Sequence, residues 1–313
     1  MNVPTNLSSR EIWLRLLLYP GHTLPTAAAP VLVAAGLSQR DGLLAPVPLL
    51  VAFLGSWLIH VGGVFFDNYE LLRRFPELRE HPELTAALDR GTLKLKTLLL
   101  AIFACFGLTA LSGPYLFAVG GYPVLLFAAI GIASSLSYAG GPLAYARHGL
   151  AEPFFFLMFG VVAVYGTYYI QAAAHGAVDT GWRFIGDMPV EPLVLGLPIG
   201  ALVTGVLLID DIRDRDFDRI KGWRTATVRF GPGWSRVRFG VLMAGAYAAP
   251  PLFWLSMNFS AWVLLPLVTL PMAMRILRAV LEYDRTRDLL PMSPATSKLS
   301  MIYALLLAVG IAV

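Results

Sequence analysis

The sequence predicts an all-α integral membrane protein built as a single domain over residues 1–313. Three observations carry this. Hydrophobic residues make up 57% of the chain and charged residues only 14%, against about 25% charged in soluble domains. The apolar residues gather in runs of about 20, the length a helix needs to cross the hydrocarbon core. The alternation of a membrane barrel is absent, so helices are the spanning element.

Taken in order, nine candidate spans fall at about 20–38, 44–66, 96–112, 114–136, 152–173, 192–210, 238–256, 260–276 and 296–313. Pro20, Pro25 and Pro30 make the first a kinked or late-starting helix. The eighth reads either as one span or as two half-spans broken at Pro266 and Pro271. The last runs to the C-terminus with no charge after Lys298. The opening MNVPTNLSSREIW lacks the basic and then apolar pattern of a cleavable signal.

Charge fixes the orientation. The N-terminal segment and the loops after the even-numbered spans hold 22 of the 24 Lys and Arg residues, Arg73, Arg74, Arg79, Arg147 and Arg213 among them, leaving Arg40 and Arg183 for the other side. By the positive-inside rule this puts the N-terminus and those loops in the cytoplasm and the C-terminus outside. These basic residues follow the inner loops instead of forming a patch of their own, so no nucleic-acid partner is indicated. The single cysteine, Cys105, excludes an internal disulfide and any Cys-based metal motif.

The chemistry centres on the end of the sixth span, DDIRDRDFDRIKGWRTATVRFG over 210–231. Asp210, Asp214 and Asp218 recur every four residues and fall within about 80° of one another on a helix. Asp211 lies at the edge of that face and Asp216 points away. Like charges at this spacing repel, so a cation offsets them, and Mg²⁺ suits a site where carboxylates and substrate phosphates meet. Arg213, Arg215, Arg219, Lys221, Arg224 and Arg229 surround the row as candidate phosphate partners. The competing reading is a solvated helix end with Asp–Arg pairs; the regular DxxxDxxxD spacing followed by Gly-x-Arg-Thr favours the site. A second acidic stretch, VGGVFFDNYELLRR, puts Asp67, Asn68 and Glu70 at the end of the second span on the same side of the membrane. Two carboxylate clusters at one face can hold two metals on one diphosphate, whereas an ordinary polar helix end would pair Asp67 with Arg73 or Arg74. His60, seven residues before Asp67, reads as a packing histidine. Arg147 and His148 lie in the short loop GGPLAYARHGLAE, with Gly140-Gly141-Pro142 marking a tight break. Phe155, Phe159, Tyr165, Tyr168 and Tyr169 of the fifth span either face lipid or line a cavity for an isoprenoid tail, stabilising a carbocation through their ring faces. Trp182 reads as an interface anchor on the outer side.

These motifs resemble those of the UbiA superfamily of intramembrane prenyltransferases, most of all the branch that prenylates 1,4-dihydroxy-2-naphthoate in menaquinone synthesis. Asp210, Asp214 and Asp218 fill the acidic positions of that family's second motif; Gly222, Arg224 and Thr225 match the segment after it, with Trp223 where lysine is usual; Val228 to Gly231 match its ending. GGP at 140–142, Gly149-Leu150-Ala151-Glu152 and GTYYIQ at 166–171 also look like the naphthoate branch. The first motif departs from the family: Gly63 and Phe66 replace two asparagines and Glu70 replaces an aspartate, while Asp67 stays.

The resemblance implies a nine-transmembrane-helix bundle with a cytoplasm-facing active-site cap, built from motif loops at about 67–95 and 210–237, in a bacterial or archaeal inner membrane. Its implied activity is Mg²⁺-dependent transfer of a polyprenyl group from its diphosphate to an aromatic acceptor. Asp67, Glu70, Asp210, Asp211, Asp214 and Asp218 would hold the metal, and Asp67, Asp210, Asp214 and Asp218 would be essential to catalysis. Arg224, Lys221, Arg147 and Arg90 would bind diphosphate, while Asn68, Tyr138 and Tyr168 would contact substrate. The altered first motif leaves open a UbiA-like terpene cyclase or another acceptor. A CDP-alcohol phosphotransferase lacks its Asp-Gly-x-x-Ala-Arg pattern here. A transporter would carry its charges nearer mid-membrane than these lie.

Overall fold

The computed structural model describes residues 7–18, 23–78 and 80–313. Pro20, expected to bend the first span, and Arg79, assigned to the basic loop, lie outside them. The helices are α1 (Ser9–Leu18), α2 (Thr23–Arg40), α3 (Pro46–Arg74), α4 (Pro82–Asp89), α5 (Leu95–Gly120), α6 (Tyr122–Leu136), α7 (Ala151–Ala174), α8 (Glu191–Arg213), α9 (Arg215–Ile220), α10 (Ala226–Phe230), α11 (Pro232–Ser256), α12 (Ala261–Glu282) and α13 (Met292–Ala312). Among the described residues, seven helical segments are long and apolar enough to cross a membrane: α3, α5, α7, α8, α11, α12 and the stretch Thr286–Ala312. α2 and α6 occupy the other two expected positions, α6 with only 15 residues.

Boundaries differ from the sequence reading where backbone packing decides them. α5 does not stop at 112. It runs through Pro114 and ends at Gly121, whose φ of 63° turns the chain into α6. A Cβ on Gly121 would lie 2.1 Å from the Thr180 carbonyl oxygen, which also accepts the Tyr122 N–H. That carbonyl belongs to a loop 59 residues on in the chain, so no local pattern announces it. In α12 the prolines neither kink a regular span nor split it in two. They leave a 3₁₀ run, Ala261–Thr269, that continues into regular helix from Leu270.

α8 forms the centre of the bundle, and α2, α7, α11 and α13 pack around it. It is buried along nearly its whole length, as a helix apolar all round should be. α7 approaches it through small residues. A Cβ on Gly160 would stand 2.7 Å from Gly196 O and from Gly200 Cα. Gly196 and Gly200 are thus a small-xxx-small contact that lets two membrane helices meet backbone to backbone. At that contact α7 widens into a π-helical segment, Phe156–Val162. Such bulges arise where a helix accommodates an extra residue, and this one presents Met158, Phe159 and Val162 to the interior cavity. A second cluster joins α1, α3, α4 and α5 around Ile12, Leu16, Phe65 and Leu98. α1 seats Ile12 and Leu16 there, and its Arg15 pairs with Glu83 of α4 at 3.2 Å.

Candidate active site

A cavity of about 390 Å³ runs down the inside of the bundle. One end is acidic, with Asp67, Glu80, Asp210, Asp211, Asp214 and Asp218. The rest is largely apolar, with Ile59, Phe127, Phe155, Phe159, Val162 and Ile170.

The Asp row keeps its geometry across a helix boundary. α8 ends at Arg213 and α9 starts at Arg215, yet Asp214 N–H donates to Asp210 O at 2.8 Å and Asp218 N–H to Asp214 O at 2.9 Å. The four-residue repeat therefore survives, and Asp210, Asp214 and Asp218 all face the cavity with Asp211 beside them, while Asp216 is exposed. α3 delivers Asp67 and Asn68 to the opposite wall. Asn68 Nδ2 donates to Val64 O at 2.8 Å, while its Oδ1 is buried without a partner.

Two cations hold the carboxylates. Arg213 Nη1 donates to Asp210 Oδ1 at 2.6 Å, and its Nη2 and Nε engage Asp214. Lys221 Nζ lies 2.8 Å from Glu80 Oε2 and 2.9 Å from Asp218 Oδ1, with only 2% of its side chain exposed. The Trp223 ring covers it at 4.0 Å. Burial alone would lower the Lys221 ammonium, but Asp218 and Glu80 outweigh it and hold its pKa above the ordinary lysine value. Burial pushes Glu80 up to about 7 against the pull of Lys221. Burial, then the charges of Asp67 and Asp211, lifts the Tyr138 phenol well above its usual value, so it stays a neutral hydroxyl at the cavity wall.

Several expected site residues lie elsewhere. Glu70 does not line the cavity. It is turned to three arginines, Arg73 at 2.8 Å, Arg74 at 2.6 Å and Arg147 at 3.6 Å, which pair with the charge that a metal would need. Arg147 is spent on that pair and on the Ala139 carbonyl, 5.8 Å from the Trp223 ring. Arg224 is absent from the lining, and its backbone N–H donates to Arg147 O at 2.8 Å. Arg90 reaches the Leu7 carbonyl at the outside of α4. Tyr168 lies outside the cavity, and its hydroxyl donates to Asp41 Oδ2 at 2.6 Å, at the far end of the bundle. Asn68 and Tyr138 do line it, with Lys221. Glu80 and Ser293 are among the residues at the acidic end that escaped sequence reasoning, as did His81 in the cavity lining. Glu80 sits in a loop that matches no motif, and Ser293 of α13 hydrogen-bonds Asp210 Oδ2 at 3.2 Å. Only their partners, 141 and 83 positions away, reveal them.

The altered first motif has a packing reason. A Cβ on Gly63 would fall 2.2 Å from Ser135 Oγ, which itself donates to Ile59 O at 3.0 Å. The Phe66 ring fills the space beside Gly140, where a Cβ would lie 2.4 Å from it. α3 thus packs against α6 through Gly63–Ser135 and against the turn after α6 through Phe66–Gly140: a side chain at 63 would displace the Ser135 hydroxyl, and an asparagine at 66 would leave unfilled the space that the Phe66 ring occupies.

The donor set fits a hard divalent cation: carboxylates and an unpartnered amide oxygen converge on one water-accessible end of a cavity. Among the described residues no three ligating groups yet close on a single point, because Lys221 and Arg213 draw the carboxylates to themselves.

The profile of the UbiA prenyltransferase family matches residues 25–302. The chain is 24% identical to a 1,4-dihydroxy-2-naphthoate octaprenyltransferase of Bacillus subtilis, over 93% of this chain and 89% of that protein. It is 29% identical to one of Mycobacterium tuberculosis, over 93% and 94%. The fold is similar to that of an apo UbiA homolog from Aeropyrum pernix, with a TM-score of 0.66 at 17% identity over 90% and 96% of the two chains. It is also similar to a UbiA homolog from Archaeoglobus fulgidus bound to GPP and Mg²⁺, with a TM-score of 0.60 at 16% identity over 94% and 98%.

Proposed function

The chain belongs to the UbiA prenyltransferase family, and we propose that it transfers a polyprenyl group from its diphosphate to 1,4-dihydroxy-2-naphthoate. The observation that carries this is one cavity with a carboxylate-rich end and a long apolar, aromatic interior. The relatives that match over nearly the whole chain are named for that acceptor.

In this reading Asp67, Asn68, Asp210, Asp211, Asp214 and Asp218 hold Mg²⁺, with Glu80 in the part that Glu70 has left. Bound there, Mg²⁺ would neutralise diphosphate charge and so make it a better leaving group. Arg213 and Lys221, which here pair with Asp210, Asp214 and Asp218, would turn to diphosphate oxygens when substrate binds. Tyr138 keeps a neutral hydroxyl near the leaving group. Phe155 and Phe159 line the path of the prenyl chain, exclude water and set ring faces against the positive charge that develops on the allylic carbon. The electron-rich ring of the acceptor then forms the new carbon–carbon bond, and the carboxylate leaves as carbon dioxide. The basic loops favour a cytoplasmic position for this end of the cavity.

The test is incubation of the purified full chain with Mg²⁺ and geranylgeranyl diphosphate, with and without 1,4-dihydroxy-2-naphthoate, followed by mass spectrometry. A prenylated naphthoquinol lacking the carboxylate is expected. A cyclised hydrocarbon or alcohol from donor alone would move the assignment to a terpene cyclase, for which the altered first motif speaks.

A further inference from the structure

The apolar part of the cavity holds one imidazole that the functional reading leaves unused. His60 lies seven residues before Asp67 on α3, so it sits about 10 Å deeper and about 20° around the same helix face. It lines the cavity. Its ring meets Phe159 edge-on at 5.0 Å, and its Nε2 is buried with no hydrogen-bond partner. Of the cavity hydroxyls, Ser134 is committed to the Tyr145 hydroxyl at 3.1 Å and Ser135 to the Ile59 carbonyl at 3.0 Å, while Ser56 lines the cavity one turn before His60 on α3. Buried polar side chains almost always have a partner, and leaving one without costs its full desolvation. A prenyl chain carries no polar atom and cannot supply one.

We propose that His60 is a positioning residue that hydrogen-bonds a ring hydroxyl of the aromatic acceptor. The inference rests on the prenyl-transfer reading and specifies which side chain selects the acceptor. The depth agrees. With the diphosphate at the carboxylates, the reacting carbon hangs just beneath it, and the attacking ring stands about 3–3.5 Å from that carbon. The farther of the two hydroxyls, on the same ring as the attacked carbon, then extends toward the level of His60. A neutral imidazole offers one donor and one acceptor nitrogen, so it meets a phenol in either sense. Ile59, Phe155, Met158 and Phe159 of the lining are apolar and offer that hydroxyl no partner.

The experiment measures equilibrium binding of 1,4-dihydroxy-2-naphthoate and of 2-naphthoate, which lacks both hydroxyls, to the full chain in detergent. Wild type, His60→Leu and His60→Gln are compared, and Mg²⁺-dependent diphosphate release from geranylgeranyl diphosphate is followed in parallel. Wild type is expected to prefer the dihydroxy compound by about tenfold, the worth of one good hydrogen bond. His60→Leu loses the preference while binding 2-naphthoate as wild type does, and His60→Gln keeps part of it. The intact affinity for 2-naphthoate separates this outcome from misfolding. A preference that survives His60→Leu, or one that wild type never shows, overturns the inference even if prenyl transfer is observed. Absence of diphosphate release from wild type refutes the functional reading instead, and the binding preference still decides the role of His60.

Discussion

Replacing Lys221 by methionine tests whether one lysine holds the acidic end together before any metal arrives. Its ammonium lies between Glu80 at 2.8 Å and Asp218 at 2.9 Å, and the three side chains are only 2%, 8% and 6% exposed. Methionine keeps the length and the contact with Trp223 but leaves two buried carboxylates facing each other. Removing one partner of a buried ion pair costs about 3–5 kcal/mol. Glu80 already titrates at about 7 with the ammonium beside it, so without it the carboxyl takes up a proton at neutral pH. That holds the loss near the lower bound, about 3 kcal/mol. At about 2 °C per kcal/mol for a chain of this size, the unfolding midpoint in metal-free detergent should fall by about 6 °C. Millimolar Mg²⁺ should then raise the midpoint of the variant more than that of wild type, because the cation supplies the charge that Lys221 gave. The assay is thermal unfolding of both proteins with and without Mg²⁺. A variant that matches wild type without metal, or that gains no more from Mg²⁺, would refute the reasoning.

Four further outcomes follow from the same geometry. The folded-state value of Glu80 is raised from 4.5 to about 7, so its contribution to stability is full below pH 4.5 and is lost as pH rises through about 7. This is worth about 3 kcal/mol, and Glu80→Gln should flatten the fall in metal-free unfolding midpoint between pH 5 and pH 8; an unchanged slope would count against it. Asp214→Ala should lower Mg²⁺-dependent diphosphate release by about 10²–10³-fold, and unaltered release would remove the Asp row from the mechanism. Gly196→Ala puts a Cβ 2.7 Å from the Gly160 carbonyl oxygen, with backbone on both sides, so thermal stability should drop by about 1–3 kcal/mol. Tyr168→Phe loses the 2.6 Å bond to Asp41, costing about 1 kcal/mol without changing the KM for the prenyl donor; a raised KM would return Tyr168 to the substrate path.

Composition and run length in the sequence settled the helical membrane class, because lipid satisfies no backbone polar group and only a helix of about 20 apolar residues does so itself. The four-residue spacing of Asp210, Asp214 and Asp218 likewise brought them to one face, because consecutive i,i+4 backbone bonds carry the repeat across the break at Asp214. Both are local properties, written within a few turns of chain. What lay between distant segments was not legible. Glu70 and Glu80 are the same residue type ten positions apart, yet one is held by three arginines and the other faces the cavity beside Lys221. Which of the two carboxylates faces the cavity depends on where the turn after α6 places Arg147 and the end of α9 places Lys221. Tyr168 looked like a cavity aromatic because it belongs to an aromatic-rich helix, but membrane helices are apolar toward lipid and toward protein alike, so composition does not say which face turns inward. Backbone contacts decided the rest: Gly63 against Ser135, Phe66 against Gly140, and Gly160 against Gly196 and Gly200. They set the distance between helices, and with it the width of the cavity and the depth at which His60 lies.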